Sequence, residues 1–205
     1  MSFDSIANCS YKFLIIGDSS VGKTSITKRF CHGYFNSESR ETIGAEFIPY
    51  TIVIDHTPLR IQIWDTGGQE KYRALSRAYF RNAVGVLIVF SFTDSDSFDH
   101  LDKWFDDVRT LCHPMAQVIL VGNKSDLIEA QSVSRSAAEE FARTHHVDFI
   151  ESSAKNNTGI QESFYKLTRS VAQSVLSGDI VLQSSMPSAK PVPVPEKNGS
   201  GGICC

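Results

Sequence analysis

The segment that most constrains the fold is Gly17–Thr24, which reads Gly-Asp-Ser-Ser-Val-Gly-Lys-Thr. It fits the pattern Gly, four free positions, Gly-Lys, and Ser or Thr, which is typical of a phosphate-binding loop. The apolar run Tyr11–Ile16 before it predicts a buried strand, and Ser25–Phe30 after it predicts a helix. These flanks favour a phosphate-binding loop over a glycine-rich turn that precedes a helix by chance.

Each part of this loop has an expected task. We expect the backbone amides from about Ser20 to Thr24 to point at a triphosphate, because glycines let the chain approach it. Lys23 would reach the outer phosphates, and the Thr24 hydroxyl would bind Mg²⁺. The predicted binding residues of the loop are Ser19, Ser20, Val21, Gly22, Lys23, Thr24 and Ser25.

Composition narrows the classes of protein that fit. The 205 residues, 41% of them hydrophobic, are enough for one sizeable core. A formal net charge of −3 gives no basic field, so we expect no nucleic-acid partner. No apolar run reaches the roughly 18 residues of a membrane span, and Met1–Ser10 lacks the pattern of a secretory signal. We therefore expect an intracellular protein in which Cys9, Cys31 and Cys112 are ordinary thiols.

Strand-like and helix-like segments alternate after the loop. Phe47–Asp55 and Leu59–Trp64 are β-rich, and the short turn at 56–58 between them predicts an antiparallel hairpin. Gly85–Phe90 and Gln117–Gly122 are continuous apolar runs, which fit central strands of a parallel sheet.

Helical patterns separate and follow these strands. Ser97–Leu111 and Ser134–His145 are predicted helices, and Asp148–Ile150 is a predicted short strand. Thr158 and Gln161 form a capping-box pattern ahead of a final helix. The repetition predicts a doubly wound α/β domain with a mostly parallel six-stranded sheet and one antiparallel edge hairpin. A nucleotide should bind at the carboxyl ends of its strands.

The predicted organisation is a short N-terminal extension at 1–10, one domain at 11–178 and a flexible tail at 179–205. Four of the seven prolines lie between 187 and 195, and Asn198–Gly202 is rich in Gly and Ser. Such a segment buries too little apolar surface to offset the entropy of ordering. The tail ends in the pair Cys204 and Cys205.

A second constellation follows the strand that ends at Trp64. Asp65 can hold Mg²⁺ through water, and the flexible glycines after it let the Gly68 amide meet a terminal phosphate. Gln69 can orient an attacking water molecule. Alone, the sequence Asp-Thr-Gly-Gly is equally a plain turn, but a phosphate-binding loop in the same chain favours the functional interpretation.

A third constellation follows the strands that end at Gly122 and Ile150. Asp126 can accept two hydrogen bonds from guanine, which adenine does not offer, so it would select GTP over ATP. The stem of Lys124 can cover the base, and the segment after Ile150 can close its other side. The predicted base-binding residues are Asn123, Lys124, Asp126, Ser153, Ala154 and Lys155.

With these motifs in this order, Tyr11–Leu176 resembles the Ras-like small GTPases. Within that family the chain looks like a Rab, on the evidence of Thr42–Phe47, of Trp64 directly before Asp65, and of Tyr79–Ala83. The Cys-Cys ending is also similar to that of Rabs. The resemblance implies a GTP-binding, GTP-hydrolysing switch that regulates vesicle trafficking.

The resemblance also implies roles that the motifs alone do not. Thr42 would complete the Mg²⁺ shell from switch I, at about 34–47, and Phe35 would contact the guanine. Switch II would run from about 65 to 79. The aromatic residues Phe47, Trp64 and Tyr79 match the triad that Rabs present to effectors, although Trp64 alone is equally consistent with core packing.

By the same resemblance, Cys204 and Cys205 would each receive a geranylgeranyl group, and two lipid chains give stable anchoring. Free thiols or a metal-binding tail are the alternatives. The implied location is the cytoplasmic face of intracellular membranes, in exchange with the cytosol. The implied partners are an exchange factor, a GTPase-activating protein, a GDP dissociation inhibitor and effectors, with a monomeric GTPase domain.

Two positions depart from the Rab pattern. Gly67 stands where most Rabs have Ala, and losing that Cβ should loosen switch II by ~0.5–1 kcal/mol. Ser91 stands where Rabs usually have Asp, and the sequence offers no mechanistic account of it.

Two rival functions remain open at this point. A nucleoside kinase would need a second-substrate pocket and an arginine-bearing lid, for which we find no pattern. A scaffold that binds GTP without cleaving it would differ in having no single-turnover hydrolysis.

Overall fold

The computed structural model describes residue 6 and residues 9–37, 42, 44–67 and 78–181. Its strands are β1 Ser10–Ile16, β2 Ala45–Ile54, β3 Thr57–Thr66, β4 Gly85–Ser91, β5 Gln117–Asn123 and β6 Asp148–Glu151. The α-helices within these residues are α1 Lys23–His32, α2 Ser95–Asp99, α3 Leu101–Leu111, α4 Arg135–Thr144 and α5 Ile160–Ser177. Among them, none is long and apolar enough to cross a membrane.

The six strands form one sheet in the order β2-β3-β1-β4-β5-β6. The β2–β3 pair at the edge is antiparallel, and every other pair is parallel. The predicted doubly wound fold with one antiparallel edge hairpin is therefore confirmed. All seven residues of β4 are buried, as expected of a central strand covered on both faces.

Helices cover both faces of the sheet with apolar side chains. On one face α1 and α5 meet, and the Phe30 and Phe164 rings stack with their centroids 3.8 Å apart. On the other face α3 and α4 pack through Phe105 and Phe141, whose ring centroids lie 5.5 Å apart. Ile180, beyond α5, is also fully buried. The loops at the carboxyl ends of the strands are therefore where a binding site can form.

The hairpin turn differs from its predicted position at 56–58. Asp55 and His56 both have positive φ, at 46° and 66°, which suits a two-residue turn that matches the twist of the strands. Thr57 and Pro58 therefore belong to β3.

Two helical predictions are also corrected. The predicted helix Ser97–Leu111 is divided at His100 into α2 and α3. The predicted capping box at the final helix is wrong, because Gly159 caps α5 with φ 68° and no side-chain bond. Thr158 instead exchanges two backbone hydrogen bonds with Ser153, so its backbone is committed to a β-bridge.

Candidate nucleotide-binding site

A cavity of about 700 Å³ opens at the carboxyl ends of the strands. It gathers predicted residues from the phosphate-binding loop, from 35–42 and from the loops after β5 and β6. Those that line it are Ser19, Ser20, Gly22, Lys23, Thr24, Ser25, Phe35, Thr42, Asn123, Lys124, Asp126, Ala154 and Lys155. Gly68 and Gln69 lie outside the described residues.

Three predicted residues lie behind the lining, and four lining residues were missed. The three are buried, at 0% exposure for Val21 and Asp65 and 1% for Ser153. The missed residues are Asn36, Ser37, Thr66 and Leu127. Asn36 and Ser37 directly follow Phe35 in the sequence, and Leu127 directly follows Asp126. These positions could have indicated three of the four. Thr66 also donates a 2.8 Å hydrogen bond to the Ile15 carbonyl, so it fixes the end of β3 to β1.

The phosphate-binding loop needs glycine where the chain passes other groups closely. Gly17 has φ 137°, and a Cβ there would lie 2.0 Å from the Val89 carbonyl oxygen. Gly22 has φ 100°, and its Cβ would lie 2.3 Å from Asn123 Nδ2. Gly22 caps α1 without a side-chain hydrogen bond, so the first-turn amides remain available to an anion.

Lys23 is held inside this loop by backbone oxygens. Its Nζ donates to the Gly17 carbonyl at 2.8 Å and to the Asp18 carbonyl at 2.6 Å. Burial lowers the pKa of Lys23 to about 8, against the opposing charges of Asp65 and Asp18. An anionic ligand would favour the charged form and so raise that pKa.

Three oxygen-bearing side chains form a candidate metal site beside Lys23. The Thr24 and Thr42 hydroxyls are 2.7 Å apart. Asp65 is 0% exposed, and neither carboxylate oxygen has a hydrogen-bond partner among the described residues. Burial raises the pKa of Asp65 to about 6, against the opposing effects of the neighbouring Thr24 hydroxyl and of the Lys23 charge. An unpaired buried carboxylate is costly, and an all-oxygen set suits Mg²⁺, so these residues fit the ion.

Side-chain bonds shape the other end of the cavity. Ser153 Oγ donates to Asp126 Oδ1 at 2.6 Å and accepts from the Asn156 amide at 3.0 Å. Ser153 therefore orients Asp126 from behind. Asn123 donates to the Val21 carbonyl at 2.9 Å and accepts from the Ala154 amide at 3.3 Å. Asn123 thus ties the phosphate-binding loop to the loop after β6.

The aromatic residues matched to the Rab effector triad form a separate surface. The Phe47 and Trp64 ring centroids are 5.4 Å apart, and those of Trp64 and Tyr79 are 5.7 Å apart. Phe47 is 46% exposed, and Lys12 Nζ lies 4.6 Å from the Trp64 ring centroid. The three rings therefore form one contiguous cluster, with Phe47 open to solvent.

The two departures from the Rab pattern have structural consequences. The Gly67 amide donates to the Gly44 carbonyl at 2.7 Å, and a Cβ on Gly67 would lie 2.4 Å from the Thr42 carbonyl oxygen. Ser91 is fully buried, and its Oγ accepts a 3.2 Å bond from the Thr93 amide. A carboxylate oxygen at position 91 would accept the same bond, which accounts for either residue there.

Comparison with known proteins agrees with this geometry. The Ras family model matches residues 12–173. GTP-binding protein ypt3 of Schizosaccharomyces pombe is 44% identical over 75% of this chain and 72% of its own. Ras-related protein RABA4a of Arabidopsis thaliana is 42% identical over 75% and 68%. Ras-related protein Rab-4 of Dictyostelium discoideum is 38% identical over 84% of each chain.

These matches cover the strands and loops that build the cavity. The sheet has the expected topology. Over aligned segments that cover 75% or more of this chain, each of these relatives is at least 38% identical to it. The chain therefore belongs to the Ras family of small GTPases, within its Rab branch, and it hydrolyses GTP to GDP.

Proposed function

We propose that the chain is a membrane-anchored Rab switch that holds GTP or GDP with Mg²⁺ in the cavity and regulates vesicle trafficking. One observation carries the proposal: Asp65 is a fully buried carboxylate without a partner among the described residues. It lies at the end of β3, behind the part of the cavity that Lys23, Thr24, Thr42 and Thr66 line. A cation with a triphosphate supplies the partner that this carboxylate lacks.

The phosphates bind to the loop Gly17–Thr24. Backbone amides from Ser20 to Thr24 surround them, and Lys23 Nζ moves from its carbonyl acceptors to the outer phosphates. Thr24, Thr42 and Asp65 hold Mg²⁺, directly or through water. When bound, the ion neutralises the negative charge of the phosphates.

The guanine base binds between three loops. Asp126 accepts hydrogen bonds from its N1 and N2 groups, with Ser153 fixing the carboxylate. Phe35 and the stem of Lys124 cover the faces of the ring, and the backbone of Ala154 and Lys155 meets its O6 edge. A mismatched base leaves Asp126 unpaired, which selects against adenine.

Hydrolysis and switching depend on residues that surround the terminal phosphate. Gln69 orients the attacking water, and the Gly68 amide meets the phosphate. GTP holds Thr42 and Gly68, and hydrolysis releases them. Turnover is slow until a GTPase-activating protein provides an arginine for the transition state.

The switch acts on a membrane through partners. Cys204 and Cys205 carry geranylgeranyl groups, with exchange between membrane and cytosol through a GDP dissociation inhibitor. An exchange factor loads GTP, and effectors contact Phe47, Trp64 and Tyr79. The contiguous ring cluster with an exposed Phe47 supports this last assignment.

Base selectivity tests the nucleotide site most simply. Asp126→Asn should lower GTP affinity by about a hundredfold and raise affinity for xanthosine triphosphate, because the exchange reverses the hydrogen-bonding pattern. Equilibrium binding of both nucleotides measures this. Asp106→Asn, on the exposed face of α3, is the matched control. Retained GTP preference in Asp126→Asn would refute the base-reading role.

The anchor has a separate test. Serine at both Cys204 and Cys205 should move the full-length protein from the membrane fraction to the soluble fraction of its own cells, while GTP binding is unchanged. Persistent sedimentation with membranes would refute the lipid anchor.

A further inference from the structure

Arg29, in the last turn of α1, joins two separate parts of the base-binding region. Its Nε donates to the Ala154 carbonyl at 2.8 Å, and its Nη2 donates to the Lys155 carbonyl at 3.0 Å. Its Nη1 donates to the Gly33 carbonyl at 2.8 Å. One guanidinium therefore binds three carbonyl oxygens that belong to two loops.

Helix capping does not account for these contacts. A cation near a helix C-terminus is favourable, and the bond to Gly33, just past the end of α1, serves that purpose. The other two bonds cross 125 and 126 residues to the loop after β6. They fix no part of α1's end, but they do fix the backbone of the loop that closes the cavity.

The backbone of Ala154 is thereby held on both sides of its Cα atom. Its amide donates to Asn123 Oδ1 at 3.3 Å, and its carbonyl accepts from Arg29. Asn123 in turn donates to the Val21 carbonyl of the phosphate-binding loop. Because α1 begins within the last residues of that loop, Arg29 closes a ring of contacts through β5, the loop after β6 and α1.

The second loop held by Arg29 leads to Phe35. Gly33 directly follows α1, and the Phe35 ring centroid lies 6.0 Å from the Arg29 guanidinium carbon. That distance is within the range of cation–π attraction. The residue proposed to cover one face of the guanine and the loop proposed to bind its edge are thus attached to one side chain.

We propose that Arg29 is a positioning residue that couples the Phe35 segment to the Ala154–Lys155 loop and so controls guanine nucleotide release. The proposal rests on the nucleotide site described above. Displacement of the Gly33–Phe35 segment removes one bond and the ring contact from Arg29, which loosens the Ala154–Lys155 loop. A partner that pulls this segment away from α1 therefore opens both sides of the base at once.

Nucleotide release from the full-length protein tests the coupling. Arg29→Met should accelerate GDP release by about tenfold, because three hydrogen bonds that order the site are lost. Arg29→Lys should release GDP faster than wild type but more slowly than Arg29→Met, since one ammonium cannot span the three carbonyls. Arg143→Met, an exposed α4 arginine paired with Glu140, should release GDP at the wild-type rate.

A double-mutant cycle with Phe35→Ala separates positioning from a general loss of structure. Since Arg29 and Phe35 hold the same segment, their effects on the release rate should be less than additive. Removal of Mg²⁺ with EDTA should accelerate release by the same factor in wild type and Arg29→Met, because none of the three carbonyls that Arg29 binds belongs to a residue proposed to hold the ion. Strict additivity with Phe35→Ala would overturn the coupling.

The outcomes also separate this proposal from the function on which it rests. A wild-type protein that binds no GDP would overturn both. A wild-type protein that binds GDP, with release unchanged in Arg29→Met and Arg29→Lys, would overturn the role of Arg29 alone. If Arg29→Met does not fold, Arg29→Lys retains the charge at the end of α1, and its faster release carries the test.

Discussion

The phosphate end and the base end of the cavity are built in opposite ways. At the phosphate end the phosphate-binding loop is one continuous segment, in which Lys23 bonds to carbonyls five and six residues earlier. The base end depends on side chains that cross long stretches of sequence, such as Ser153 to Asp126 and Arg29 to Ala154. Local sequence therefore determines the phosphate grip, whereas base recognition depends on tertiary contacts that can be loosened without destroying the grip.

The largest effect should come from the phosphate end. Lys23→Ala removes charge-assisted bonds to the phosphates and should weaken GDP binding by about a hundredfold, which corresponds to ~3 kcal/mol. Titration with a fluorescent GDP measures the affinity. Lys166, on α5, is half-exposed and paired with Asp148 of β6. The Lys166→Ala variant should bind GDP as wild type does. Equal affinities for Lys23→Ala and wild type would contradict the assignment of the phosphate end.

Acid should weaken the metal site by an intermediate amount. Mg²⁺ binds the ionised carboxylate, and burial has raised the pKa of Asp65 to about 6. Below that pH, protons compete with the ion, and each further unit should lower Mg²⁺ affinity by about tenfold. The stability of the ligand-free protein should depend on pH in the opposite direction to its Mg²⁺ affinity. A raised carboxyl pKa stabilises the fold at low pH, and this stabilisation is lost as the pH rises through about 6.

Calorimetric titration of the GDP-bound protein with Mg²⁺ between pH 5 and 7 measures the first effect. Asp65→Asn, which cannot ionise, should bind Mg²⁺ weakly and with little pH dependence in the same range. A wild-type affinity that stays constant down to pH 5 would argue against Asp65 as a ligand.

The smallest effect should come from the second layer of the base end. Ser153→Ala leaves Asp126 without its 2.6 Å donor, and one such bond contributes about 1 kcal/mol, so the preference for GDP over ADP should fall by about fivefold. Competition between the two nucleotides measures the ratio. Ser136→Ala, at an exposed serine on α4, should leave the ratio unchanged. If the Ser153→Ala ratio matches wild type, the base end does not depend on this contact.

Much of the fold could be predicted from the sequence, for reasons that the same comparison explains. The sheet follows from apolar runs such as Gly85–Phe90, which only a doubly covered strand can bury. Local patterns also indicate the phosphate-binding loop, Asp65 at the end of β3 and Asp126 after β5, which the structure brings to the same edge of the sheet.

Contacts between distant segments could not be predicted in this way. Asp18 accepts from His100 Nδ1 at 2.6 Å and from Trp104 Nε1 at 2.7 Å, which ties the phosphate-binding loop to the start of α3. No periodicity in the sequence pairs these residues. Likewise, no sequence pattern indicates that Arg29 contacts the loop after β6. The cap at Gly159 could not be predicted in this way, because what requires glycine there is a tertiary constraint: a Cβ would lie 2.1 Å from the Glu151 carbonyl oxygen.

The nucleotide that the full-length protein retains on purification tests the central claim most directly. Denaturation followed by ion-exchange chromatography identifies and counts it. The account predicts guanine nucleotide, mainly GDP, at about one molecule per chain, because the phosphate and base ends act on the same ligand. Adenine nucleotide, or none, would contradict it.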